Sequence, residues 1–147
     1  MQVKTLDDYR AVLKYAIQRE EDAVQFYQRM SEKVHQPDPK TLLKRLAIEE
    51  KEHKEMLVKF SSDVTSPPGG SFTPPAYSFD QVEEKDITTE KIFQLAIQLE
   101  EESLNFYARF LVYFFKTGHG EIFRKIFELE LKHKEDLEKS FDNFFKK

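Results

Sequence analysis

Residues 16–27 read AIQREEDAVQFY and residues 96–107 read AIQLEEESLNFY, so a shift of 80 residues lays Glu20 on Glu100 and Tyr27 on Tyr107. The register continues without a gap, and Glu50 and His53 of EEKEH fall on Glu130 and His133 of ELKH. Across residues 9–57 set against 89–137, 13 of 49 pairs are identical, although the segments between the shared blocks have almost nothing in common. A unit of this length present only twice is too long and too few for a solenoid. The chain therefore reads as two helical hairpins fused into one domain.

The shared positions are chemically out of place. Leu13, Ala16, Ile17, Ala23, Val24, Tyr27 and Met30 recur at helical three-and-four spacing, with Glu20 in the middle of the apolar stripe. Glu100 stands in the same way among Phe93, Ala96, Ile97, Leu104, Tyr107 and Leu111. In the second helix of each unit Leu43, Leu46, Ala47, Leu57 and Phe60 share a face with Glu50 and His53, as Phe123, Ile126, Phe127 and Leu137 do with Glu130 and His133. Four carboxylates and two imidazoles then point into one core. A buried carboxylate either takes up a proton or finds a cation, and two divalent metals would satisfy all six groups. Carboxylate and imidazole without thiolate suit iron or manganese, with zinc also admitted by its higher intrinsic affinity.

One Glu from each of two helices, with Glu-x-x-His from each of the other two, is the ligand pattern of ferritin-like di-iron bundles. Within that superfamily the sequence resembles the rubrerythrins, through E-x-x-A-x-x-x-Y at Glu20, Ala23 and Tyr27 and A-x-x-E-x-x-H at Ala47, Glu50 and His53. The resemblance covers nearly the whole chain and is weaker in the second unit, where Ser103 and Phe127 replace the two alanines. It implies Glu50 and Glu130 as bridging carboxylates, His53 and His133 as terminal nitrogen ligands, and Glu20 and Glu100 as terminal carboxylates. It also implies a further Glu one turn past the helix 3 ligand; Ser103 stands there, which points to a symmetric six-ligand site. Tyr27 and Tyr107, seven residues past Glu20 and Glu100, read either as aromatic core or as phenols bonded to a ligand carboxylate.

Neighbouring acids are set aside on the same grounds. Glu32 and His35 have the Glu-x-x-His spacing but no counterpart 80 residues on and no place in the stripe, so they read as a solvated helix end. Glu49 aligns with Leu129 and fails the duplication test, while Glu21 and Glu101 pass it but fall off the stripe centre.

The fold expected is an all-α, ferritin-like four-helix bundle with one long crossover between helices 2 and 3. Repeat units span about 6–60 and 87–143 of a single domain over residues 1–147, joined by a linker at 61–86 that carries SPPGG and TPPAY. Thr5 with Asp8 has capping-box spacing for helix 1, which runs to about Val34. Asp38 with Pro39 opens helix 2, which runs to about Phe60. Thr88 or Thr89 caps helix 3, which runs to about Lys116; residues 117–120 form a turn, and helix 4 runs from Glu121 toward Asn143. Phe106, Phe110, Tyr113, Phe114 and Phe115 on helix 3, with Phe141, Phe144 and Phe145 at the end of the chain, predict a homodimer face.

Composition narrows the function. Lys plus Arg 23 against Asp plus Glu 27 gives a net charge of −4, with basic residues interleaved among acids, so no nucleic-acid surface is expected. The polar start MQVKTLDDY and the absence of a long apolar run predict no membrane segment and a cytoplasmic protein. There is no cysteine, hence no disulfide and no thiolate-bound iron; the rubredoxin domain that typical rubrerythrins carry is not part of this sequence. The resemblance implies an oxidoreductase that reduces hydrogen peroxide or oxygen, supplied with electrons by an external donor such as a rubredoxin-like protein. A ferroxidase or iron-handling protein is the alternative, and a non-catalytic metal-stapled dimerisation module a third reading.

Overall fold

The computed structural model describes residues 6–63, 87–115 and 120–145, which form four α-helices: α1 (Leu6–Lys33), α2 (Pro37–Asp63), α3 (Thr89–Phe115) and α4 (Glu121–Phe145). No strand occurs among the described residues. The helices pack as two hairpins, α1 on α2 and α3 on α4. Tyr27 bonds Glu100 and Tyr107 bonds Glu20, so α1 and α3 run antiparallel. Arg45 with Asp136 and His53 with Glu130 establish the same for α2 and α4. It follows that α2 and α3 point the same way, and that Asp63 and Thr89 lie at opposite ends of the bundle. This is the single-crossover arrangement of the ferritin-like fold.

Helix ends depart from expectation in instructive ways. α2 opens at Pro37 rather than behind Asp38, with the Lys40 N–H donating to the Gln36 carbonyl. The first turn of a helix has no intrahelical partner for its N–H groups, so prolines at 37 and 39 lose nothing there, and Asp38 places its charge against the positive end of the helix. The same Lys40 reaches back to the carbonyls of Ser31 (2.7 Å) and Val34 (3.3 Å), closing the end of α1 at Lys33 instead of Val34. α2 continues through Asp63, three residues past the expected end, so residues 61–63 of the expected linker are helical. Thr88 is the cap of α3, accepting from the Lys91 N–H at 3.1 Å, while the Thr89 hydroxyl contacts Gln36 Oε1 at 3.0 Å and ties α3 to the α1–α2 turn. α4 runs on to Phe145. The Thr5 cap, linker residues 64–86 and turn residues 117–119 lie outside the described residues.

The core has two apolar clusters, one on each side of a polar layer. Val12, Leu13, Ala16, Leu57, Phe106, Tyr107, Phe110, Phe123 and Ile126 form one. Ala23, Tyr27, Met30, Leu43, Leu46, Phe93, Ala96 and Leu137 belong to the other. Along every helix the residues between these sets are the acids and histidines of the repeat.

Most of the described aromatics are absorbed here. Phe106 and Phe110 are buried, and Phe141 and Phe145 pack against the second cluster. Phe106 and Phe110 are thereby taken into the core, while Phe141 and Phe145 are only partly buried; the side chains of Tyr113, Phe114 and Phe115 lie outside the described residues. Phe144, 38 % exposed, is the most open of those described on this face. Replacing fully buried Phe93 by alanine should therefore cost about 3–5 kcal/mol in urea unfolding. Phe144→Ala should stay within about 0.5 kcal/mol of the parent. Equal losses would show that the core has been misplaced.

Candidate metal centre

Glu20, Glu50, His53, Glu100, Glu130 and His133 are all buried, none more than 2 % exposed. Four of them, Glu50, His53, Glu130 and His133, present ligand-type atoms within 4.8 Å of one another. His53 Nδ1 lies 2.7 Å from Glu130 Oε1, 3.2 Å from Glu50 Oε1 and 3.7 Å from Glu20 Oε2. His133 Nδ1 lies 2.8 Å from Glu50 Oε1, 3.5 Å from Glu130 Oε1 and 3.8 Å from Glu100 Oε1. The two rings stack, 5.2 Å apart and 12° from parallel. Glu50 and Glu130 thus lie between two equivalent sets, Glu20 with His53 and Glu100 with His133.

These approaches are close but are not hydrogen bonds. Both Nδ1 atoms, Glu20 Oε2, Glu50 Oε1, Glu100 Oε2 and both oxygens of Glu130 are buried without a hydrogen-bond partner among the described residues. Leaving buried polar atoms unsatisfied costs about 1–3 kcal/mol apiece. Seven such atoms in one layer form a set of electron-pair donors aimed at common points.

The second oxygens of Glu20 and Glu100 are held by the tyrosines, and the pairing crosses between units. Tyr27 donates to Glu100 Oε1 at 2.7 Å, and Tyr107 donates to Glu20 Oε1 at 2.5 Å. Each phenol is fully buried and so anchors a carboxylate on the opposite hairpin. Burial first, then the facing Glu100 or Glu20 charge, lifts both phenols well above their ordinary pKa, so both keep the proton they donate.

Electrostatics follows from crowding. Burial, then the Glu130 charge, raises Glu20, and the same two influences push Glu100 up to about 8. Burial, then Glu20 and Glu100, raises Glu50. For His53 burial pulls downward, but Glu130, Glu20 and Glu50 together overcome it and push the imidazole up to about 12. His133 is raised in the same way, burial being outweighed by Glu100, Glu130 and Glu50.

Of the acids set aside, Glu32 and His35 are exposed and away from the layer. Glu21 pairs with Lys54 at 3.4 Å and Glu101 with Lys134 at 3.8 Å, a duplicated surface ion pair that accounts for the recurrence of all four residues. Glu49 was missed by the duplication argument. Its Oε1 lies 3.2 Å from His133 Nε2, the ring nitrogen facing away from the layer. Ser103 accepts from the buried Arg19 guanidinium at 3.0 Å, so its hydroxyl is already engaged by the protein.

A model of the rubrerythrin family matches residues 11–141. The chain belongs to the rubrerythrin family. No curated protein matches it at a significant level. In this rubrerythrin-family chain the donor set agrees with a binuclear metal site. Its orphaned atoms are carboxylate oxygen and imidazole nitrogen, the ligands that suit first-row divalent ions.

Metal-free protein should lose stability as pH rises. Glu20, Glu50, Glu100, His53 and His133 all hold their protons more tightly folded than unfolded. The folded state then carries more protons, and stability falls with pH. For Glu100 the loss runs from the ordinary 4.5 to about 8, and for His53 from 6.5 to about 12. After removal of metal by chelation, the melting temperature at pH 5.5 should exceed that at pH 8.5. Metal competes for the same lone pairs, so loading should flatten or reverse the trend. Equal apo melting temperatures at the two pH values would contradict burial of the cluster.

Proposed function

We propose that the chain binds two metal ions, iron in the working form, and acts as an oxidoreductase that reduces hydrogen peroxide with electrons from an external donor. The carrying observation is the convergence of unsatisfied, buried Glu and His atoms from both repeat units in a layer sealed by apolar clusters on either side. Glu50 and Glu130 would bridge the ions. Glu20 with His53, and Glu100 with His133, would complete the two ends.

When bound, a ferrous pair supplies two electrons, the number that converts hydrogen peroxide and two protons to two molecules of water. The protein residues hold this chemistry in place. Tyr27 and Tyr107 fix the end carboxylates through one oxygen and leave the other for metal. The flanking clusters exclude bulk water, which strengthens each charge interaction inside. These 147 residues hold no cysteine to carry thiolate-bound iron, and a rubredoxin-like donor would supply the reducing equivalents.

Because Glu50 and Glu130 are shared, Glu50→Ala or Glu130→Ala should empty both positions, and metal analysis of either variant showing two full equivalents would refute the assignment. The reaction is tested by anaerobic stopped-flow mixing of the diferrous protein with peroxide or with oxygen, read at the ferric near-ultraviolet absorption. Peroxide should react much faster, and the protein should return to the ferrous state only when a donor is added. Equal rates, with repeated turnover of excess ferrous iron in air, would assign the same ligands to iron oxidation instead.

A further inference from the structure

The two ends of the site match in their ligands and differ behind one of them. His133 directs Nδ1 at Glu50, Glu130 and Glu100, and its other nitrogen, Nε2, meets Glu49 Oε1 at 3.2 Å. Glu49 is itself held, since its Oε2 lies 3.3 Å from Arg45 Nη1 and Arg45 Nη2 bonds Asp136 Oδ2 at 2.8 Å. This row runs from a buried ring on α4 through α2 and back to α4. The 80-residue register puts Leu129 where the second unit would need its Glu49. Among the described residues no side chain bonds His53 Nε2.

A neutral imidazole has one N–H, and only its other nitrogen offers a lone pair to metal. A carboxylate at Nε2 keeps the proton there, leaves Nδ1 free, fixes the ring and strengthens it as a donor. His133 has that partner and His53 has none, while burial and the facing carboxylates are alike at both. We infer that Glu49 is a positioning residue that makes the two metal positions unequal, the one at His133 and Glu100 being the tighter and the first to fill. This rests on the two-metal reading above.

The test uses the full chain, freed of metal and titrated with cobalt(II) by calorimetry. Wild type should take two ions in two steps. Glu49→Leu, which copies the residue of the other unit, should weaken the first step about 10- to 100-fold and merge the steps, with the total still two. Glu49→Gln keeps the shape, removes the charge and should fall between. Leu129→Glu should tighten the second step by supplying His53 with a carboxylate. An independent readout is the exchangeable ring N–H resonance shifted by bound cobalt. Wild type should show one slowly exchanging signal, absent from Glu49→Leu and accompanied by a second in Leu129→Glu. A single step of two equal ions in wild type, or equal weakening of both steps in Glu49→Leu, overturns the assignment of Glu49. A total other than two in wild type overturns the two-metal reading instead.

Discussion

Four carboxylates and two imidazoles in the middle of a 147-residue bundle are the constraint to which the rest of the molecule answers. Charge in a low-dielectric interior is tolerated only when compensated. Among the described residues no lysine is buried, and the buried Arg19 bonds Ser103 and lies over the Phe106 ring. One guanidinium does not balance four carboxylates, so protons or metal must supply the rest. Protons explain the raised Glu and His values of the metal-free chain, and metal explains why the unsatisfied atoms share a direction.

The layer also accounts for how the hairpins join. Tyr27 to Glu100, Tyr107 to Glu20, His53 to Glu130 and His133 to Glu50 each link a residue of one unit to a residue of the other. Each hairpin alone would carry three of the six groups and half of each apolar cluster, with its carboxylate lacking the tyrosine of the opposite unit. Docking the hairpins brings the six groups together, so a metal bound there would couple its affinity to folding stability. The direction of α3 relative to α1 follows too, because only antiparallel packing brings residue 27 to 100 and residue 107 to 20 together.

Much of this was legible in the sequence because two independent periodicities coincide. Helical spacing put Glu20, Glu50, Glu100 and Glu130 inside apolar stripes, and the repeat kept these four together with pairs such as Glu21 and Glu101 that lie off the stripe. Reading failed where structure departs from either regularity. Glu49 fails the repeat test because Leu129 stands at its counterpart, and that test passes over contacts made in one half alone, such as that of Glu49 Oε1 with His133 Nε2. The aromatics of helix 3 read as a homodimer face, yet Phe106 and Phe110 both face the first cluster, since a helix packed against two neighbours buries more than a single narrow seam. Capping at Asp38 with Pro39 places the start of α2 late, because a proline such as Pro37 in the first turn has no hydrogen bond to lose.

Some of what the repeat does not copy lies close to the buried cluster, and these departures have opposite signs. Glu49, whose counterpart is Leu129, brings a carboxylate to the His133 end. Arg19, whose counterpart is Leu99, buries a guanidinium whose charge acts on Tyr107, the phenol that donates to Glu20. Ser103, which accepts from Arg19, stands opposite Ala23 in the register. A duplicated scaffold supplies two equal half-sites at no extra design cost, but equal halves have no preferred order of filling and no preferred direction for charge. On the two-metal reading, a negative group behind one end and a positive group near the other would polarise the pair. The asymmetry sits in Glu49, Arg19 and Ser103 rather than in the six buried Glu and His residues, which the repeat keeps the same in both halves.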